Sequence, residues 1–164
     1  MMTMITTPSQ TVGPFFRAGM AWPGGERLFD DANITIRGTV FDATGAPVPD
    51  AVIELWQLRK GQQGLQGFGR VQTSAQGHFK FHTVKPEPLP GHKPFIHVTV
   101  FARGLLQHHV TRLFLQAVGQ LASDEMLDAA GPRGRTLVAK VVEPDMFEWN
   151  IRLGGPHETM FLNL

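Results

Sequence analysis

Two residue types are missing from this chain of 164 residues: it has no cysteine and no tyrosine. The first absence removes disulfides, thiolate metal sites and a cysteine nucleophile together, and it suits a reducing compartment. The second is notable beside twelve Phe and three Trp. Phe fills apolar positions as well as Tyr does, so the absence bears on function only if the fold uses a phenol for chemistry. Charge of one sign is scarce too. Fifteen Lys and Arg face fourteen Asp and Glu, a formal net charge of +1, and no basic run tracks a phosphate backbone, so nucleic acid is not an expected partner. No apolar run reaches membrane-spanning length, and "MMTMITTPSQTVGPFF" lacks the basic start and continuous apolar stretch of a secretion signal. The expectation is a soluble cytoplasmic protein with one domain over residues 1–164.

What is present is mostly period two. Residues 1–33 show no sustained period and are punctuated by Pro8, Gly13, Pro14, Pro23, Gly24 and Gly25, which reads as an extended arm. From Ile34 the pattern alternates. "ITIRGTVFD", "AVIELWQL", "HFKFHTV", "FIHVTVFA", "VTRLFLQ", "LVAKVVE", "MFEWNIRL" and "ETMFLNL" are short, rich in β-branched and aromatic residues, and bounded by turn formers. In "HFKFHTV", Phe79 and Phe81 should face one way and His78, Lys80 and His82 the other. "RKGQQGLQGFGR" reads as a connection, since no helix follows it to present amides to a phosphate. One helix is expected over "SDEMLDAAG", with Ser123 as cap, Asp124 and Glu125 in the first turn and Gly131 as stop. Eight short strands and one short helix predict an all-β, antiparallel β-sandwich with an N-terminal extended arm.

Seven histidines raise the question of a metal. His78 and His82 share a strand face but stand two pleats apart, and adjacent His108 and His109 would point to opposite faces. Residues alone therefore favour no histidine metal site. No Gly-x-Ser-x-Gly elbow is present. Arg133 and Arg135, in "GPRGRTLVAK", lie between helix and strand, where a guanidinium could meet a carboxylate or simply face water.

Taken in order, "TPSQTVGPFF", "RGTVFDATGAPVPDAVIELWQ", "GFGRVQTSAQGHFKFHTVKPEPLP", "PFIHVTVFARGLLQHHVTRLFL", "RTLVAKV" and "FEWNIRLGGPHETMFLNL" resemble the intradiol ring-cleavage dioxygenases over nearly the whole chain. The likeness is nearest the α chains of two-chain members that act on protocatechuate. The resemblance implies a prealbumin-like sandwich and oxidative cleavage of a catechol by Fe(III) and O2, with the iron held by two Tyr and two His. Ferric iron is hard, which suits phenolate oxygen.

This chain departs from that ligand set. "PEPLP" puts Leu89 at one tyrosine position, "FIH" puts Phe95 and His97 at the two histidine positions, and Arg112 stands for a nearby glutamine. The other tyrosine would fall near Gln62 to Gly64. The expectation is therefore no metal and no catalytic residue in this chain. The resemblance implies instead an α-type subunit whose partner β chain binds Fe(III), in an (αβ)n assembly. The 1–33 arm would then pack on the partner, with Thr11, Gly13, Pro14, Arg133 and Arg135 contributed to its protocatechuate pocket. Two other readings are a non-enzymatic transthyretin-like binding module and a rebuilt metal site using His78, His82 and His97.

Overall fold

The computed structural model describes residues 6–13, 15–88, 92–115 and 125–162. Its strands are β1 (Ile34–Phe41), β2 (Val52–Trp56), β3 (Phe68–Gln72), β4 (His78–Thr83), β5 (Ile96–Phe101), β6 (His109–Leu113), β7 (Lys140–Glu143), β8 (Met146–Glu148) and β9 (Ile151–Arg152). One sheet runs β4-β1-β8-β7 with β9 also on β1, and the other runs β3-β2-β5-β6. Most neighbours are antiparallel, while β1 runs parallel to β8 and β9. This is the expected sandwich. Its two inner faces meet in one apolar layer that includes Ile36, Val40, Ile53, Leu55, Phe79, Phe81, Val98, Val100, Leu113 and Ile151.

Alternation decides which side chains enter that layer. In β4, Phe79 and Phe81 are buried while His78 and Lys80 are exposed and His82 is half-buried. In β5, Ile96, Val98 and Val100 point inward and His97, Thr99 and Phe101 outward. A polar tie crosses between the sheets at their end. Thr83 donates its hydroxyl to Gln57 at 2.8 Å, and the Gln57 amide donates to the Val84 carbonyl at 3.0 Å.

Several segments differ from the sequence reading. β3 begins inside the stretch read as a connection, at Phe68. Its first residues, Phe68 and Gly69, follow Gly64 and Gly67, both with positive φ, so turn chemistry hid the strand start. "MFEWNIRL" is two strands, because Trp149 turns into the core, 3 % exposed. Asn150 there accepts the Thr39 amide through its side chain at 2.9 Å. "LVAKVVE" is a strand only from Lys140, since Leu137 ends a 3-10 turn over Gly131–Leu137. "ETMFLNL" forms no strand among the described residues. It contributes a single bridge, Leu162 to Val110, because the Met160 amide and carbonyl are taken by the Thr136 and Thr111 hydroxyls instead.

The helix α1 covers Glu125–Ala130. Gly131, at φ +54, ends it, since L side chains avoid that left-handed region. Ser123 and Asp124 lie outside the described residues.

The stretch read as an arm is held by its own domain from Arg17 onward. Arg17 donates to the Pro49 carbonyl at 2.8 Å, Gln72 donates to the Arg17 carbonyl at 2.8 Å and Arg70 donates to the Met20 carbonyl at 3.2 Å. Leu28 and Phe29 enter the main core. The described residues before Arg17 are mostly exposed, with Phe15 84 % accessible, and exposure continues through Gly24 until Gly25 is buried.

Candidate functional site

The outer face of the β3-β2-β5-β6 sheet gathers three of the residues that the sequence singled out, Phe95, His97 and Arg112. Cross-strand register puts Phe68 opposite Trp56, Trp56 opposite His97, and His97 opposite Arg112. Directly opposed residues project to the same side of a sheet, so these four form one row. Phe95, two residues before His97, shares that side. Its ring meets His97 edge to face, with centroids 4.9 Å apart, and the Arg112 guanidinium carbon lies 4.1 Å above it.

Burial pushes the His97 imidazole below its usual pKa, and the Arg112 charge pushes it the same way. At neutral pH His97 is therefore a neutral ring, able to donate at one nitrogen and accept at the other. Arg112 supplies the charge of the row. Its Nε is buried and has no hydrogen-bond partner. Phe68 and Trp56 carry the row on as an aromatic wall, with ring centroids 5.3 Å apart. Trp22, from the N-terminal segment, stacks on Phe68 at 5.8 Å.

One row further along the strands, Arg70 opposes Glu54 and donates to it at 2.6 Å through Nε. Sequence reasoning missed Trp56, Phe68 and this ion pair. The signal was the alternation "FGRVQ", obscured by the glycines around it.

A satellite cluster covers the other side of the row. Phe95, Phe114 and Leu137 are buried together, with Met126, Leu127, Val138 and Met160 packed against them. This cluster seats the 3-10 turn that carries Arg133 and Arg135. Thr136 fixes the turn: its hydroxyl donates to the Arg133 carbonyl at 2.7 Å and accepts the Met160 amide at 3.0 Å. Its carbonyl accepts the Trp149 indole N–H at 2.8 Å. Arg133 itself is exposed and donates to Glu158 at 3.0 Å, and Arg135 is exposed.

Thr11 lies elsewhere, its hydroxyl accepting the Gly104 amide at 2.8 Å in the turn after β5. Gly13 is exposed, and a Cβ added there would meet nothing within 4 Å. Pro14 and Leu89 lie outside the described residues. The structure thus brings Phe95, His97 and Arg112 together, joins them through apolar packing to the Arg133 turn, and holds Thr11 on a separate loop.

Iron does not fit this row. Phe95 offers no donor atom, Arg112 brings a fixed positive charge beside His97, and no tyrosine exists in the chain. A trivalent cation would be opposed where the sheet should hold it. The rebuilt alternative fails on geometry. His78 and His82 point away from the core on β4, and His97 points away from it on β5 of the other sheet, so the sandwich lies between them. Among the described residues no group of three or more His, Asp or Glu converges on one point.

The comparisons with known proteins bear on the same residues. The family model described as Dioxygenase matches residues 27–155. The chain is 32 % identical to a protocatechuate 3,4-dioxygenase alpha chain of Burkholderia cepacia over the full length of both. It is 30 % identical to the corresponding alpha chain of Pseudomonas putida, over 96 % of each chain. Among solved structures, the dioxygenase domain of a dioxygenase carbohydrate-binding protein fusion from Streptomyces sp. SirexAA-E superposes with a TM-score of 0.61 at 22 % identity, covering 91 % of this chain and 98 % of that one. Catechol 1,2-dioxygenase from Pseudomonas arvilla C-1 gives a TM-score of 0.58 at 19 % identity, over 82 % and 58 %. A sandwich of this topology, matched by the family model over most of its length and by relatives end to end, belongs to the intradiol ring-cleavage dioxygenases.

Proposed function

We propose that this chain is the non-ferric α subunit of a protocatechuate 3,4-dioxygenase. In this reading a homologous β subunit holds Fe(III) and performs the O2-dependent cleavage of protocatechuate to 3-carboxy-cis,cis-muconate. The observation that carries the proposal is the row itself. Where a metal-binding member needs donor atoms, this chain stacks a guanidinium on a phenyl ring, yet it keeps the family's sandwich around it. Selection for fold without selection for iron fits a subunit that supports chemistry elsewhere. End-to-end similarity to alpha chains supports the same reading, and a beta chain of Burkholderia cepacia is also similar, at 26 % identity.

Under this proposal the chain's own residues bind and orient. The segment with Thr11, Gly13 and Pro14 lines the partner's pocket, with exposed Phe15 as an apolar anchor against the partner. Arg133, or Arg135 beside it, meets the ring carboxylate of protocatechuate. A charge-assisted, bidentate contact of that kind fixes the ring's rotation before reaction. Glu158, which neutralises Arg133 in the single chain, would be displaced or would share the guanidinium.

Co-expression with a β chain that retains Tyr and His ligands should give a coloured complex with one iron per αβ pair that cleaves protocatechuate. Stoichiometric iron and turnover in this chain purified alone would overturn the proposal.

A further inference from the structure

We propose that β7 is a docking edge for a second copy of this chain. Two β7 strands meet antiparallel, Lys140 of each facing Glu143 of the other, with Val141 and Val142 of the two copies packed between these ion pairs. The contact lies on the opposite sheet from the Arg112 row, and it stands independently of the reading above.

β7 is the outermost strand of the β4-β1-β8-β7 sheet, and all four of its residues are exposed. The other ends of the two sheets are covered. Glu26, Leu28 and Asn33 bond the backbone of β4 at His82 and Thr83. The Arg70 amide of β3 donates to the Gly25 carbonyl, and the Val110 carbonyl of β6 accepts the Leu162 amide. Among the described residues no segment does the same for β7, whose backbone pairs with β8 alone. A row of unpaired N–H and C=O groups is a template for another strand.

Cross-strand register says what that strand must carry. On the outer side Arg37 faces Glu148 and Glu148 faces Lys140, an alternation of charge that reaches the edge on a cation. On the inner side Ile36 faces Phe147 and Phe147 faces Val141. Ile36 is fully buried, but Val141 is 57 % exposed, so the apolar row ends in solvent. Between Val141 and Glu143 the register slips by one residue, and Glu143 faces Met146. Successive residues of β8 point to opposite sides. The slip therefore sets Glu143 on the same outer side as Lys140, where an unbroken strand would oppose them. Turned end for end, "KVVE" presents its own complement, an anion to each cation and a valine to each valine.

None of the ion pairs among the described residues uses Lys140 or Glu143. A lysine on an edge discourages indiscriminate pairing; with a glutamate on the same side it selects one register and one orientation. The contact is isologous, each copy giving and taking the same two ion pairs. A strand of four residues falls short of the about 1,200 Å² that a tight complex buries. The pairing is accordingly weak, with a Kd on the order of 100 µM.

Sedimentation equilibrium of the full-length chain, from about 10 µM to 1 mM, reads the pairing. The expected result is a reversible monomer–dimer equilibrium. Lys140→Glu and Glu143→Lys, each alone, should weaken it roughly tenfold or more, because like charges then face each other twice. The two variants mixed in equal amounts should restore it, and so should the double variant; a misfolded chain would not be rescued in this way. A chain that stays monomeric to about 1 mM, or a dimer indifferent to both reversals, would overturn the proposal. If the chain is isolated only with a partner subunit, the same variants are read on the mass of the complex. Each reversal should then lower the number of copies of this chain per particle, and the mixed or double variants should restore it. A mass unaffected by the reversals, or reversals that release the partner, would put something other than a second copy on β7 and sink the idea.

Discussion

Gly38 shows how much one residue can decide. It lies mid-strand in β1, where a Cβ would fall well inside contact distance of the Trp149 carbonyl oxygen and of the Phe79 ring. That close approach lets the chain cross from β8 to β9 beside β1 with Trp149 buried. Gly38→Ala should destabilise the protein by about 3 kcal/mol or more, a fall of roughly 6–12 °C in Tm for a domain of this size, read by calorimetry. Arg133 is a residue-scale matter of another kind, because its paired, exposed position carries no evident structural duty. In the αβ enzyme proposed above, and if Arg133 meets the substrate carboxylate as proposed, Arg133→Met should raise KM for protocatechuate roughly 10–100-fold, the worth of a charge-assisted contact, while leaving KM for unsubstituted catechol nearly unchanged. Steady-state kinetics on both substrates separates this from a folding defect, which would depress both. At this scale the sequence was informative about what is missing. A chain without tyrosine cannot supply a phenolate, whatever its fold. It named Arg112 but not its surroundings, a guanidinium over the Phe95 ring with its Nε buried and unpartnered.

The strands show where the alternation of side chains is enough and where it is not. β1, β4 and β5 were legible because each buries one face and wets the other, so the apolar period of two survives in the sequence. β3 was not, since its first inward position is Gly69, packed against Leu28, which leaves Val71 as the one apolar residue it turns to the core. Losing β3 meant losing Phe68 and Arg70, and with them the aromatic wall beside Trp56. The terminal "ETMFLNL" misled in the opposite direction: its Met160 and Phe161 pack against the apolar clusters without a ladder. Three histidines tie β4, β5 and β6 to pH. Burial lowers the pKa of His82, His97 and His109 in the folded chain. Each is then protonated more readily in the unfolded state than in the native one. Stability from these groups is fully present above the unfolded value of about 6.5 and falls as pH drops through that value, levelling once the folded groups also take up protons. Denaturant melts between pH 7.5 and 5 should show declining stability, with a shallower decline in His97→Gln; a flat profile would count against the buried neutral ring. The tie between Gln57 and Thr83 offers a second check on how the sheets are joined. Thr83→Val strands the buried Gln57 carbonyl oxygen and should cost about 1–3 kcal/mol, measurable in the same melts.

Across the whole molecule, the N-terminal segment divides into two parts with different consequences. From Arg17 to Phe29 it is bonded to β3 and the loop before β2 and contributes two core residues, so deleting it should unfold the chain. Before that it holds on by exposed contacts such as Thr11 to Gly104 and Gln107 to Ser9. Removing residues 1–13 should change the Tm of the single chain by only a few degrees while sharply reducing turnover of the αβ complex, since the segment's proposed task lies on the partner. An unchanged turnover would remove that task. Composition and order of motifs determined by themselves that this is a sandwich of short strands without phenolate or thiolate ligands, because residue types and period-two patterning are local properties. They also placed Phe95 and His97 at the positions where donor atoms would be needed. Only the tertiary structure decided that Phe95, His97 and Arg112 share one face with Trp56 and Phe68, that His78 and His82 lie across the sandwich from them, and that the Arg112 Nε is buried without a partner. Those facts depend on cross-strand register and on which sheet a strand joins, and both are set by pairing between residues far apart in the chain.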